Sequence, residues 1–197
     1  MRNALATTLL AAVILVAGCT APTTPVAGST VTPPSTTAPA SDVLAAVGLA
    51  GLNGRQIVEK LDQDPAPRPL SFKASVRADR VIIGNEKSEV SVPITGEKPF
   101  YLSIAPYAKT THPCHFHSLA TCRGEMSGKP VTVLIRDDKG LVLVDQMVTT
   151  YANGFVGFWL PRDIKGTVTV TAEGRTGTVP FATGPEDATC LTTLQVV

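Results

Sequence analysis

The stretch EVSVPITGEKPFYLSI, residues 89–104, decides the fold class because apolar and polar residues alternate along it in two separate runs. A period of two is typical of a β-strand with one buried face. Proline has no N–H to donate to a neighbouring strand, so Pro93 predicts that the first of these strands lies at a sheet edge. The alternating apolar residues are Val90, Val92 and Ile94, then Phe100, Leu102 and Ile104.

The same alternation recurs downstream, where turn sequences separate the runs. Its apolar members are Val131, Val133, Ile135, Val168 and Val170. The turn sequences are Asp138-Lys139-Gly140, Asn153-Gly154, Lys165-Gly166 and Glu173-Gly174. Many short strands joined by close turns predict an antiparallel β sandwich or barrel-like domain over residues 71–197.

Residues 42–70 have a helical pattern and predict a small N-terminal helical segment, which makes the fold class α+β. Asp42 is placed to cap a first helix and Gly48 to end it. Asn53 and Gln56 have the spacing of a capping box for a second helix. The apolar stripe of that helix is Ile57, Val58 and Leu61.

The N-terminus has the features of an export signal. Residues 1–18 contain Arg2 and an apolar run too short to span a bilayer, and they end in Val-Ala-Gly before Cys19. This junction resembles a bacterial lipobox and implies cleavage after residue 18 and lipid on Cys19, although an ordinary cleaved signal with an incidental cysteine is the alternative. Residues 19–41, rich in Thr and Pro and without charge, predict a linker that lifts the folded part off the membrane.

The charge balance gives no electrostatic reason to propose nucleic acid or an anionic surface as a partner. The chain has 17 basic and 16 acidic residues, and loss of residues 1–18 removes Arg2 and leaves 16 of each. A chain without net positive charge lacks the overall electrostatic attraction between a basic protein and a phosphate backbone.

A stretch of some two dozen residues without periodicity separates the strand that ends near Pro106 from the one that starts near Val131. Loops of this length in a β domain are usually functional or disordered. This loop holds all three histidines and two cysteines: His112, Cys114, His115, His117 and Cys122.

Thiolates and imidazoles at short spacing are ligands for copper(I) or zinc. We expect Cys114, His117 and Cys122 to bind the ion together with Cys190, which must return from the C-terminus. His115 and His112 are second-tier candidates. Copper(I) accepts two or three soft donors, whereas structural zinc takes four. Thiols outside the cytoplasm stay reduced only if something protects them from oxidation, and tightly bound copper(I) would do so. Both arguments favour copper(I), and zinc is the alternative ion.

Other functions fit the same residues. A disulfide between two of the three cysteines would staple the loop without metal, but it would leave one thiol over. A thiol–disulfide oxidoreductase using Cys114 and Cys122 would lack the usual Cys-x-x-Cys motif. A cell-surface binding module stabilised by zinc or a disulfide is a further alternative. We predict no enzymatic turnover. Glu125 is a residue that orients His117, a partner of Arg123 or, most simply, a solvated charge.

Several blocks in order resemble the CueP family of periplasmic copper-binding proteins, over roughly residues 44–197. The blocks are Tyr101–Tyr107, Thr111–Cys114, His117–Ser118, Cys122–Glu125, Tyr151–Phe155, Trp159–Arg162, Phe181–Gly184 and Thr189–Leu191.

The resemblance implies copper storage or delivery outside the cytoplasm as part of copper resistance. It implies that Cys114, Cys122 and Cys190 hold the metal and that His117 is the site histidine. It also implies transfer to a periplasmic superoxide dismutase, contact with thiol–disulfide exchange proteins, and a homodimer formed through the helices before Leu70. The lipobox and the linker distinguish this chain from the soluble members of the family. A membrane-tethered protein can belong to a different kind of cell envelope, so the resemblance does not decide whether a superoxide dismutase is its partner.

Overall fold

Two short helices precede ten strands in the computed structural model, which describes residues 40–197. The helices are α1 (Ala40–Ala46) and α2 (Gly54–Asp62), and the strands are β1 (Lys73–Val76), β2 (Arg80–Gly84), β3 (Glu89–Pro93), β4 (Phe100–Ile104), β5 (Pro130–Asp137), β6 (Val142–Thr149), β7 (Val156–Leu160), β8 (Lys165–Ala172), β9 (Arg175–Ala182) and β10 (Cys190–Leu191). The predicted signal peptide, the lipid-bearing Cys19 and nearly all of the predicted linker lie outside the described residues. No helix between residues 40 and 197 has the length and apolar character that a membrane span requires.

The start of α2 is the capping box that the sequence predicts. The side chain of Asn53 accepts a hydrogen bond from the Gln56 N–H at 2.9 Å, and the Gln56 side chain accepts one from the Asn53 N–H at 3.0 Å. The expected cap at Asp42 is wrong, because α1 already includes Ala40 and Asp42 lies within its first turn. A carboxylate there still stabilises the positive end of the helix.

The strands form three sheets, ordered β1-β2-β3, β10-β4-β7 and β6-β5-β8-β9. Every pair is antiparallel except β10 with β4, which is parallel. β3 is an edge strand, as Pro93 predicts. The mostly β-sheet fold with two helices is therefore confirmed. None of the three sheets closes on itself, and the predicted sandwich or barrel-like form is not confirmed. The parallel pairing of β10 with β4 differs from the antiparallel arrangement that the sequence predicts. β10 lies near the C-terminus and reaches β4 through a long crossover rather than a hairpin.

β4 is buried on both of its faces. Phe100, Leu102 and Ile104 pack in one core cluster with β5, β7 and β8, whereas Tyr101 packs in a second cluster with α2 and β1–β3. Side chains two residues apart lie on the same face of a strand, so Ser103 faces the same way as Tyr101. The sequence predicted a polar, half-exposed face here, but α2 covers it.

The long loop between β4 and β5 is fixed to the rest of the protein by backbone contacts. Gly124 donates a hydrogen bond to the carbonyl of Asn153 at 2.7 Å. A Cβ on Gly154 would collide with the backbone of Gly124, and Gly154 also has a φ of +82°. This close approach holds the loop against the turn that leads into β7.

We expect Gly154→Ala to destabilise the protein by about 2–4 kcal/mol, because it adds a left-handed backbone penalty to a steric collision. Gly140→Ala is the matched control, since Gly140 has a similar φ of +87° but nothing within 4 Å of the added Cβ. That variant should lose only about 1–2 kcal/mol. Urea unfolding of both variants measures the difference, and equal losses would show that the loop does not depend on this contact.

Candidate metal centre

His117 is fixed in the loop by hydrogen bonds to β1 and to the chain tail. Its carbonyl accepts a hydrogen bond from the Val76 N–H at 2.8 Å, and its N–H donates to Thr189 Oγ1 at 3.0 Å. Thr189 Oγ1 donates in turn to the Val76 carbonyl at 2.9 Å. The His117 side chain is fully buried.

Cys190 reaches the loop because β10 lies alongside β4. The Ser103 N–H donates to the carbonyl of Thr189, and the Cys190 N–H donates to the carbonyl of His115 at 3.1 Å. The Cys190 Sγ atom thereby lies 3.7 Å from His117 Nδ1. A residue 73 positions away in sequence thus faces the loop histidine.

Two overlapping groups of potential metal donors result. The inner set is His117, Cys122 and Cys190, all buried, and the outer set is His112, Cys114 and Cys122, of which only Cys122 is buried. Within each set the donor atoms lie within 4.8 Å of one another. Metal–sulfur bonds of about 2.3 Å allow two sulfurs on one ion to be at most about 4.6 Å apart, so both spacings are close to what one ion requires.

The three cysteines in the described residues are free thiols. The Cys114 and Cys122 sulfurs are 3.6 Å apart, whereas a disulfide bond is about 2 Å long. Cys122 Sγ also accepts a hydrogen bond from the Ser118 N–H at 3.4 Å. The site therefore has the reduced form that metal binding requires.

Asp62, at the end of α2, orients the His117 ring. Its Oδ1 atom lies 2.9 Å from His117 Nε2 and accepts a hydrogen bond from Asn153 Nδ2 at 2.7 Å. Its Oδ2 atom accepts one from the Tyr101 hydroxyl at 2.7 Å, with the Ser103 hydroxyl at 3.4 Å. Both Asp62 and His117 are fully buried, so this is a dry, completely hydrogen-bonded carboxylate–imidazole pair.

Each member of the pair shifts the pKa of the other in the direction expected of an ion pair. Burial alone would raise the pKa of Asp62, but the His117 charge and the hydrogen bonds outweigh it and hold that pKa below its ordinary value. Burial alone would lower the pKa of His117, but the Asp62 charge and hydrogen bond raise it to about 9. With Nε2 bonded to Asp62, the nitrogen that faces Cys190 is Nδ1.

Among the three thiols, only Cys122 has a lowered pKa. Hydrogen bonds from Cys114 and Cys190, together with His117, lower the pKa of the Cys122 thiol despite its burial. The same contact with Cys122 raises the pKa of Cys114 to about 12, and the pKa of Cys190 is also raised by its two cysteine neighbours and by burial. Cys122, the residue common to both donor sets, is thus the first thiolate.

The other candidates occupy different environments. His115 is exposed, its Nε2 lies 3.0 Å from the carbonyl of Glu186, and it belongs to neither donor set. His112 belongs to the outer set. Glu125 is exposed and accepts hydrogen bonds from three consecutive backbone N–H groups, those of residues 108–110. The suggestion that Glu125 orients His117 is wrong, because Asp62 does so.

Sequence analysis missed Asp62, although its position held a signal. Asp62 follows Leu61 directly and comes four residues after Val58, both of them on the buried stripe of α2. A carboxylate that continues an apolar helical stripe must find a partner inside the protein. The position predicts a buried partner, but nothing in the sequence identifies it as His117.

The phenylalanine Phe155 packs among the sulfurs in a small core cluster with Ala105, Cys122 and Cys190. Its ring centroid lies 4.6 Å from that of His117. Apolar surroundings exclude water, so an ion held here would depend on protein donors. Sulfur and imidazole are donors that both copper(I) and zinc accept.

Comparison with known proteins agrees with this geometry. The family model described as "Periplasmic copper-binding protein CueP" matches residues 56–195. The crystal structure of S.CueP is 43% identical in sequence, with a TM-score of 0.77, and the match covers 81% of this chain and 98% of that one. No curated protein matches the chain. The matched region contains Asp62 and every candidate ligand, and the chain belongs to the CueP family of periplasmic copper-binding proteins.

Proposed function

We propose that the protein binds one copper(I) ion through His117, Cys122 and Cys190, with Cys114 as an additional thiol that binds the ion during its transfer. We propose further that the protein sequesters or delivers copper as part of copper tolerance. The observation that carries this proposal is the His117 ring. Asp62 holds Nε2 at 2.9 Å, while Nδ1 faces the Cys190 sulfur at 3.7 Å. The ring is oriented as metal-binding histidines are when a carboxylate fixes the second nitrogen.

The number and kind of donors support copper(I) over zinc. The inner set offers three buried donors, two of them sulfur. Copper(I) accepts two or three soft donors, whereas a structural zinc ion closes a tetrahedron of four. Zinc is the second candidate, because Cys114 lies 3.6 Å from Cys122 and can provide a fourth donor.

Metal binding at this site displaces protons from the protein's own groups. The pKa of about 9 means that His117 is protonated on both nitrogens in the metal-free protein at neutral pH. The metal replaces the Nδ1 proton, while the Nε2 proton stays in the hydrogen bond to Asp62. Binding at Cys190 likewise displaces its thiol proton, whereas the lowered pKa of Cys122 makes its thiolate easier to form.

We propose that the protein works in the cell envelope as a lipoprotein with its lipid on Cys19. The lipobox-like sequence supports the anchor, and the family is described as periplasmic. The proposed copper acceptor is an envelope enzyme such as a superoxide dismutase. Thiol–disulfide exchange proteins are the proposed partners that keep the thiols reduced. The helical segment is proposed to support a homodimer. None of these roles requires enzymatic turnover.

A thiol–disulfide oxidoreductase is the second candidate function, and one observation favours it. The Cys114 and Cys122 sulfurs are close, and the pKa of Cys122 is lowered while that of its neighbour is raised. This is the asymmetry between an attacking and a resolving thiol. Sustained turnover of a model disulfide by the metal-free protein would favour it over copper binding.

We expect the reduced protein to bind one copper(I) ion per chain and Cys122→Ser to weaken copper(I) binding by at least about 100-fold, because Cys122 is shared by both donor sets. Competition with a chromogenic copper(I) chelator measures the affinity. Met126→Leu is the control, since Met126 is a buried sulfur residue that packs in the main core cluster. Zinc that resists displacement by copper(I) would contradict the copper assignment.

We expect Asp62→Asn to weaken copper(I) binding by about 10–100-fold, because an amide no longer fixes the His117 ring through a charged hydrogen bond. Asp64→Asn is the matched control. Asp64 lies two residues away and accepts a hydrogen bond from the Ala66 N–H at 2.9 Å rather than from His117. Circular dichroism checks that both variants fold, and wild-type affinity in a folded Asp62→Asn variant would contradict this role.

A further inference from the structure

The inner set leaves the loop histidine His112 without a role, although its surroundings are those of a ligand. Its Nε2 atom is buried and has no hydrogen-bond partner among the described residues. A ring nitrogen of His112 lies within 4.8 Å of the sulfurs of both Cys114 and Cys122. A buried nitrogen without a partner costs free energy unless something binds it.

His112 also lies between the sulfurs and the protein surface. It lines a hollow of about 450 Å³ together with exposed residues, among them Thr111, Thr121 and Arg123. His112 and Cys114 are partly exposed, whereas His117 and Cys190 are fully buried or nearly so. An ion arriving from solvent therefore meets the outer set first.

We propose that His112, Cys114 and Cys122 form a second copper(I) site, an entry site, from which the ion moves to the inner set while it stays bound to Cys122. The proposal rests on the function proposed above. It adds a route into the buried site and assigns His112 a role in loading.

Cys122 makes the move possible because it belongs to both sets. Its thiolate can hold the ion while the other donors exchange, so the ion never has to leave the protein. The rings of His112 and His117 both contact Phe155, with centroids 6.2 and 4.6 Å from its ring. The two imidazoles thus lie around one aromatic side chain.

The step is a ligand exchange in which copper keeps its single positive charge. The bonds from copper to His112 nitrogen and Cys114 sulfur break, and bonds to His117 Nδ1 and Cys190 sulfur form. The proton that leaves the Cys190 thiol balances the proton that Cys114 takes up as it departs. The proton displaced from His117 Nδ1 passes to solvent, and no electron is transferred.

Stopped-flow loading of the full reduced protein from a chromogenic copper(I) chelator tests the entry site. We expect His112→Ala and His112→Gln each to slow loading by about tenfold or more. The equilibrium affinity should change less than about threefold, because the final ligands are intact. His115→Ala is the matched control, since His115 is in the same loop but belongs to neither donor set, and it should load at the wild-type rate.

The outcomes separate this inference from the proposed function. If wild-type protein binds no copper(I), the proposed function is wrong and the entry site with it. If wild-type protein binds copper(I) but both folded His112 variants load at the wild-type rate, only the entry site is wrong. If the His112 variants lose as much equilibrium affinity as His117→Ala, His112 is a ligand in the final complex, which also overturns the entry site.

Discussion

The hydrogen bond between Asp62 and His117 is the interaction on which the rest of the site depends. Both side chains are fully buried, and each would be costly to bury alone. Tyr101 and Asn153 satisfy the remaining acceptor positions of the carboxylate, so the pair brings together α2, β4, the long loop and the turn before β7. Removing either partner would leave an uncompensated charge or donor inside the protein.

The pair also helps to bring the candidate metal donors together in a mostly β fold. β4 presents Tyr101 and Ser103 to Asp62 on one face and pairs with β10 along one edge. That edge pairing brings Cys190 beside the imidazole whose other nitrogen Asp62 holds. β4 therefore contacts Asp62, which orients His117. Its edge pairing with β10 also positions Cys190, which faces His117. The candidate donors and the packing of the core thus meet at this strand.

The thiol cluster is asymmetric, and the asymmetry has a structural cause. Cys122 lies where thiol hydrogen bonds, a backbone N–H and the His117 ring converge, so its thiolate is stabilised. Cys114 lies further out, nearer the partly exposed His112. The donors thus range from the partly exposed outer set to the buried inner set, and both sets share Cys122. A graded set of this kind suits an ion that must enter a dry pocket and later leave it by exchange with an acceptor.

The sequence by itself determined the local features: the capping box of α2, the edge position that Pro93 forces on β3, the long loop between β4 and β5, and the soft-donor composition of that loop. These follow from short-range periodicity, turn chemistry and ligand type, which neighbouring residues define. Only the tertiary structure decided that β10 pairs parallel to β4, that Asp62 rather than Glu125 holds His117, and that the donors divide into two sets sharing Cys122. Those facts depend on contacts between residues far apart in sequence: 55 positions separate Asp62 from His117, 73 separate His117 from Cys190, and 87 separate Ser103 from Cys190. No local pattern specifies which distant partner a buried group will meet.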